Sequence, residues 1–361
     1  MYNHIYIIYL YIDYSEEKKL SQFIFTGAPD HQNWDNLDPT QFAIGFGNAS
    51  RFIASEFKKH DLTFVTKKDQ YDSGVNLAFC YPDEFNFLDN QYKIAYMPWE
   101  STDIWPHWYE PLNQVDEIWT TSEWSQKNLE NIFNKKVFVY SHGIPEFCVP
   151  KIRKRRDIIR FLHIGSPALR KNTEDVINSF AELFGNNPKY QLVIKSSGMC
   201  PQRIYDKNGK SLGTPTANFS NIVIIEDIFP ENMLLQLYEK CDIFVYPSYG
   251  EGFGFNAAQA IAMGMPTICV SEWAPYKEFI TAPLDSTYVD SPWPKHHPGK
   301  MTEPDVKQIK SHMIDVSENY EKYTKIAFKN AIGIHEKFNW EKVSDRPAKR
   351  LKKIISATSK F

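Results

Sequence analysis

The run DIFVYPSYGEGFGFNAAQAIAMGMPTICV, residues 242–270, constrains the fold of this chain more than any other stretch. An apolar segment ends at Tyr246 and Pro247, glycines follow, and an alanine-rich helical segment starts near Asn256 and stops at Gly264, Met265 and Pro266. A strand, a turn and a helix in that order bring the helix N-terminus to the carboxyl end of the strand, where open α/β sheets bind ligands. Gly252 and Gly254 let backbone amides approach a ligand closely, and the unpaired N–H groups of a helix start suit an anionic pyrophosphate. Glu251 precedes the turn, where its carboxylate can accept hydrogen bonds from sugar hydroxyls. With Asn256 as the N-cap, Gln259 falls on the third helical position, from which a side chain bonds back to the cap.

The rest of the chain extends this pattern in both directions. Strand signals at 23–26, 62–66, 75–80, 94–97, 117–121 and 137–141 alternate with helix signals at 48–59 and 122–133, the second with Ser122 as a good N-cap. That order implies parallel strands joined by crossover helices. The segment VPKIRKRRDIIR, residues 149–160, interrupts the pattern with a proline and a basic run and reads as an interdomain linker. Beyond it, strands at 159–164, 191–195, 222–225, 243–246 and 267–270 and helices at 173–184, 231–240 and 256–263 form a second βα unit. At 361 residues the chain exceeds the usual size of one hydrophobic core. The expected division is a domain over 1–149, a linker over 150–158, a second domain over 159–335 and a helical tail over 336–361 that packs back on the domains. Residues 199–220 read as a surface insertion.

Charge and cysteine usage exclude several classes. The net charge of -3 provides no overall field that gathers nucleic acid, although the basic runs 151–156 and 349–353 would suit a phosphate backbone or an anionic surface. Cys80, Cys148, Cys200, Cys241 and Cys269 lack metal or disulfide spacing and fit a reducing cytoplasm. The apolar opening, residues 1–19, has no basic n-region or cleavage site, is too short to span a bilayer, and reads as a strand. No G-x-G-x-x-G follows a first strand, which sets a nicotinamide-dependent oxidoreductase far down the order.

The 242–270 run resembles the donor-site signature of retaining GT-B glycosyltransferases of the family 4 type. Pro247, Ser248, Glu251, Gly252, Phe253, Gly254, Gly264 and Pro266 stand in the family's register, and Gln259 replaces its second carboxylate. The resemblance implies an α/β fold of two Rossmann-like domains, with parallel sheets facing across a cleft. It further implies transfer of a sugar from a nucleotide diphosphate to a hydroxyl with retention. The nucleotide sugar is then a substrate, no cofactor is expected, and no metal either, since no Asp-x-Asp pair ends a strand. In FLHIGSPALRKNTEDV the resemblance puts Gly165 and Ser166 at the donor, and Arg170 and Lys171 on its phosphates, with the amides around 252–255 stabilising the departing charge. Asp227 and Ile228 would line the base wall, and Gly252, Phe253, Gly254, Phe255 and Gln259 the rest of the donor site. In the first half, YMPWESTDIW and SHGIPE bring Trp99, Glu100 and His142 to the cleft, Glu100 among the catalytic side chains with Glu251, Arg170 and Lys171. QFAIGFGNAS resembles the family's first N-terminal loop and helix, which implies an acceptor-side position for Gly45, Gly47 and Asn48. Glycan, lipid-linked sugar, protein and a hydroxymethylated DNA base all stand open as acceptor. Gln259 motivates a second expectation, a protein that binds nucleotide sugars without turning them over.

Overall fold

The structure, a computed structural model, describes residues 22–27, 45–66, 74–166, 168–196, 204–205, 211–213 and 219–358. The strand expected in residues 1–19 lies outside them, as does most of the 199–220 insertion.

Two all-parallel six-stranded sheets organise the chain. The first comprises β1 (Phe23–Thr26), β2 (Phe64–Val65), β3 (Gly74–Ala78), β4 (Gln91–Tyr96), β5 (Glu117–Thr120) and β6 (Val137–Val139), in the order β2-β1-β3-β4-β5-β6. Its helices are α1 (Gly45–Lys59), α2 (Tyr109–Asn113) and α3 (Glu123–Ile132). Ser122 caps α3, its hydroxyl accepting from the Ser125 amide at 3.1 Å. The strands are mostly apolar because both faces of a parallel sheet are covered, with Asn76, Gln91, Glu117 and Thr120 as buried polar exceptions.

The second half begins with β7 (Ile159–Ile164), α4 (Thr173–Phe184) and β8 (Tyr190–Lys195). A small antiparallel pair, β9 (Ile204–Tyr205) and β10 (Ser211–Gly213), stands apart from the sheet. The chain returns through β11 (Ile222–Ile225), α5 (Glu231–Lys240), β12 (Ile243–Tyr246), α6 (Phe255–Ala262), β13 (Thr267–Val270) and β14 (Ala282–Leu284). The sheet order is β11-β8-β7-β12-β13-β14. From β7 the chain moves outward to one side, and from β12 to the other, so the strand order reverses between these two neighbours. Open α/β sheets hold ligands at that point, beyond the carboxyl ends of the strands. Together the two sheets form the two Rossmann-like units of a GT-B fold.

Three features beyond the alternation join the halves. A hairpin of β15 (Ser286–Asp290) and β16 (Lys300–Pro304) leaves the second sheet and meets the first domain: the Thr102 amide donates to Lys300 O at 2.9 Å and Trp124 Nε1 to the Tyr288 hydroxyl at 2.9 Å. After α7 (Val306–Glu318) and α8 (Tyr320–Phe338), the chain crosses back and ends its described path in α9 (Trp340–Thr358). Trp340, Ala348, Leu351 and Ile354 of α9 are buried in one core with Phe23, Phe25, Phe57 and Leu77 of the first domain. The two crossings run side by side, since the Ile144 amide donates to Phe338 O at 2.6 Å.

The basic run 151–156 is largely exposed, yet its arginines also bond the protein's own backbone. Arg153 Nη1 donates to Tyr238 O at 2.9 Å and Cys241 O at 2.7 Å, Arg156 Nη2 donates to Glu239 O at 2.6 Å, and Arg155 Nη1 to Ser317 O at 2.6 Å. These arginines satisfy carbonyls where α5 and α7 end, and they suit the negative ends of the helix dipoles. Three arginines of this run thus have structural partners, while Lys151, Lys154, Arg155 and Arg156 keep exposed surface. Among the described residues, no helix is long and apolar enough to cross a membrane.

Candidate active site

Between the sheets lies a cleft of about 570 Å³, at the switch point of the second sheet. Two loops build its floor. The first follows β7 and turns through Leu169–Lys171 before Asn172, at φ 56°, redirects the chain into α4. The second follows β12, and the two are zipped together where the Tyr249 amide donates to Arg170 O at 2.8 Å.

Glu251 is the centre of this floor. Its Oε1 receives Lys171 Nζ at 2.6 Å, Arg170 Nη1 at 2.7 Å, the Ser248 hydroxyl at 2.6 Å and the Tyr246 hydroxyl at 2.9 Å. Arg170 Nη2 also reaches Glu100 Oε1 of the first domain at 3.2 Å. The Arg170 and Lys171 side chains are only 13% and 9% exposed, so this is no solvated basic turn. Two cations and two carboxylates form a neutral buried group in which each charge depends on its partners.

Burial and neighbours divide the protonation equilibria. Burial would raise the Glu251 pKa, but Arg170 and Lys171 beside it pull it down to about 2. Lys171 loses more to burial and to Arg170 than Glu251 returns, and its pKa falls to about 8. Burial also opposes the charge on Arg170, yet Glu251 and Glu100 hold its pKa above the usual value. Glu100 moves upward, because desolvation outweighs the pull of Arg170. Its Oε2 and His297 Nδ1 face each other at 3.8 Å, and both are buried without a hydrogen-bond partner.

The glycine loop brings backbone to the same place. A Cβ on Gly252 would lie 2.5 Å from the Pro98 Cβ of the opposite domain, so only glycine permits this approach. Gly254, at φ +79°, is the N-cap of α6 and the helix begins at Phe255. Asn256 is consequently not the cap, and Gln259 is the fifth helical residue rather than the third. Gln259 Oε1 accepts from the Tyr238 hydroxyl at 3.4 Å, and Asn256 Nδ2 donates to Ile164 O at 3.3 Å. The residues that carry the first amides of α6 line the cleft.

Most of the residues singled out from sequence meet here. Glu251, Arg170, Lys171, Glu100, Gly165, Ser166, Gly252, Phe253, Gly254, Phe255, Gln259, Ile228, Gly45, Asn48 and His142 all line the cleft. Three expected residues do not. Asp227 is exposed outside the lining, at the rim beside Ile228. Trp99 is buried in the first domain's core, with its Nε1 donating to Asp103 O at 2.7 Å and its ring 5.0 Å from Trp108. Gly47 lies inside α1 and off the cleft, because the helix starts at Gly45 instead of after the glycines. His142 stacks on Phe255 at 5.1 Å, and burial lowers its pKa to about 3, so it presents a neutral imidazole. His163 is engaged at both nitrogens: the Val245 carbonyl 2.9 Å from Nδ1 must accept, which leaves Nε2, 3.0 Å away, to accept from the Thr173 hydroxyl.

Several lining residues lie outside any short sequence motif. Arg51 of α1 pairs with Glu231 of α5 at 3.0 Å, across the mouth of the cleft. Lys195 ends β8 and is buried, with desolvation lowering its pKa. A lysine ending an otherwise apolar strand was the available clue.

Comparison with known proteins gives a consistent picture. Residues 149–292 match the family described as "Glycosyl transferases group 1". The chain is 22% identical over 249 residues to an O-antigen chain mannosyltransferase B of Escherichia coli, covering 64% of this chain and 59% of that relative. It thus spans less than two thirds of that protein's length. Among solved structures, sucrose-phosphate synthase from Thermosynechococcus elongatus superposes with a TM-score of 0.58 at 15% identity, over 93% of this chain and 89% of that one. Anabaena Alr3699/HepE in complex with UDP-glucose superposes with a TM-score of 0.59 at 12% identity, over 92% and 99%. At such identities these two likenesses speak for the fold.

Proposed function

We propose that this chain, whose second half carries the group 1 glycosyl transferase signature on one of two facing Rossmann-like sheets, is a glycosyltransferase that uses a nucleotide diphosphate sugar. The observation that carries the reading is that the buried cations Arg170 and Lys171, held on Glu251, share one cleft with the residues that start α6. Charge grows on a diphosphate as its sugar leaves, and fixed donors in a site that excludes water stabilise that growth most effectively. Arg170 offers a rigid fork to phosphate oxygens and Lys171 a point charge. Glu251 holds both cations in place until the diphosphate competes for them. Retention at the anomeric carbon belongs to this reading, as does a leaving group neutralised by these two side chains rather than by a metal.

The acceptor is proposed to be a glycan hydroxyl, in line with the O-antigen chain relative. A DNA acceptor is disfavoured by the use of Arg153, Arg155 and Arg156 on the protein's own carbonyls. The neutral Gln259 supports a second reading, nucleotide-sugar binding without transfer.

Release of nucleoside diphosphate from a panel of nucleotide sugars, measured for wild type, Lys171→Ala and Glu251→Gln, tests the assignment. Each variant is expected to lose about 10²-fold or more in turnover. The glutamine keeps the shape of Glu251, whereas alanine there would leave two cations facing each other unpaired. Turnover equal to wild type in both variants would remove the assignment. Binding by wild type with no transfer to any acceptor would favour the second reading.

A further inference from the structure

The cleft has two chemically different ends. Arg170, Lys171, Glu100 and Glu251 gather charge at one, while Ile228, Phe229, Pro230, Leu234 and Leu235 form an apolar wall at the other. A nucleoside diphosphate laid along the cleft sets its phosphates at the charged end and its base at the wall, a placement that rests on the donor reading above.

Besides Arg51, which pairs with Glu231 of that segment, Lys195 stands against the wall. Lys195 is paired in the sheet with Ile164 on one side and Ile225 on the other, so it sits between the loop that follows β7 and the wall that follows β11. The residue is 4% exposed, yet it lines the cleft. Its Nζ is held 5.1 Å from the centroid of the Phe229 ring and donates to Ser196 O. An ammonium has three donors and no acceptor, and that bond occupies one of them. A buried group of this kind bonds a carbonyl oxygen and opposes an amino group, whose own donor it leaves unpaired.

We propose that Lys195 reads the base of the donor nucleotide at the edge where uracil (O4) or guanine (O6) carries a keto oxygen and cytosine (N4) or adenine (N6) an amino group, and selects the keto base. The paired bases differ mainly in the groups that an ammonium can tell apart. Phe229 steers the ammonium through its ring face, and an amino group set against that ammonium finds no acceptor in it.

Calorimetric titration of UDP, CDP, GDP and ADP into wild type, Lys195→Met and Lys195→Gln tests this. In wild type at least one keto base is expected to bind about tenfold or more tighter than its amino counterpart. In Lys195→Met the preference should fall to within about threefold, through loss of affinity for the keto base. Lys195→Gln, whose amide can donate or accept, should level the pair as well, and it carries the test should the methionine variant not fold. Equal weakening of all four diphosphates would make Lys195 a phosphate contact and overturn the proposal, as would a preference retained in both variants. Failure of wild type to bind any of the four would overturn the donor reading instead.

Discussion

Lys171 donates to Glu251 from a place nearly closed to water, with Arg170 as its neighbour on the same turn. Burial and Arg170 both favour its neutral form, so its proton leaves near pH 8, well below the usual lysine range. The role proposed for Lys171 needs its charge, so kcat/KM should fall on an alkaline limb near that value, since kcat/KM follows the free enzyme. Lys171→Arg, charged throughout, should move the limb upward; an unmoved limb would show that another group sets it. Glu251, Gly252 and Gly254 were legible from the strand, turn and helix signals of one short segment, whereas Arg170 and Lys171 were legible only through the resemblance to retaining GT-B glycosyltransferases. Lys195 was not, because its role depends on strands that pair across the sheet, which no local spacing records. Gln259 shows a finer limit: one unexpected left-handed residue at Gly254 moved the helix start and changed what its side chain touches.

Among the elements, the central strands of both sheets and the helices α1, α3, α4, α5 and α6 could be read from apolar periodicity, since a buried parallel strand and an amphipathic helix each have a strong signal. The hairpin β15–β16 and the edge strand β14 could not. Most of β15 faces solvent, and β14 contains Pro283, which an edge strand tolerates and a sequence reading counts against a strand. The tail was expected to return to the domains, and the structure lays α9 against α1 and β3 of the first. Leu351 of α9 is fully buried there. Leu351→Ala should cost about 2–5 kcal/mol of first-domain stability, seen as a lower denaturant midpoint. A midpoint like that of wild type would show that α9 is only loosely attached.

For the molecule as a whole, contacts cross the cleft at several points: Arg51 to Glu231 at its mouth, Thr121 to the Gly252 carbonyl at its floor, and Thr102 to Lys300 on the hairpin side. Opening of the cleft would part these contacts. The Arg51–Glu231 pair, with side chains 31% and 40% exposed, is the weakest kind of such link. Motion is expected about the paired crossings near Ile144 and Phe338, with the ligand-bound form more compact. Small-angle scattering with and without saturating nucleotide sugar checks this, and superimposable curves would exclude it.

The placement of α9 also governs the order of synthesis and folding. Domains generally fold as they leave the ribosome, the earlier one first. Here the first domain waits for a segment translated after the entire second domain, because Trp340, Leu351 and Ile354 complete a core that Phe23 and Phe25 begin. Until that segment emerges, part of the earlier domain's apolar surface stays open to chaperones and to other nascent chains.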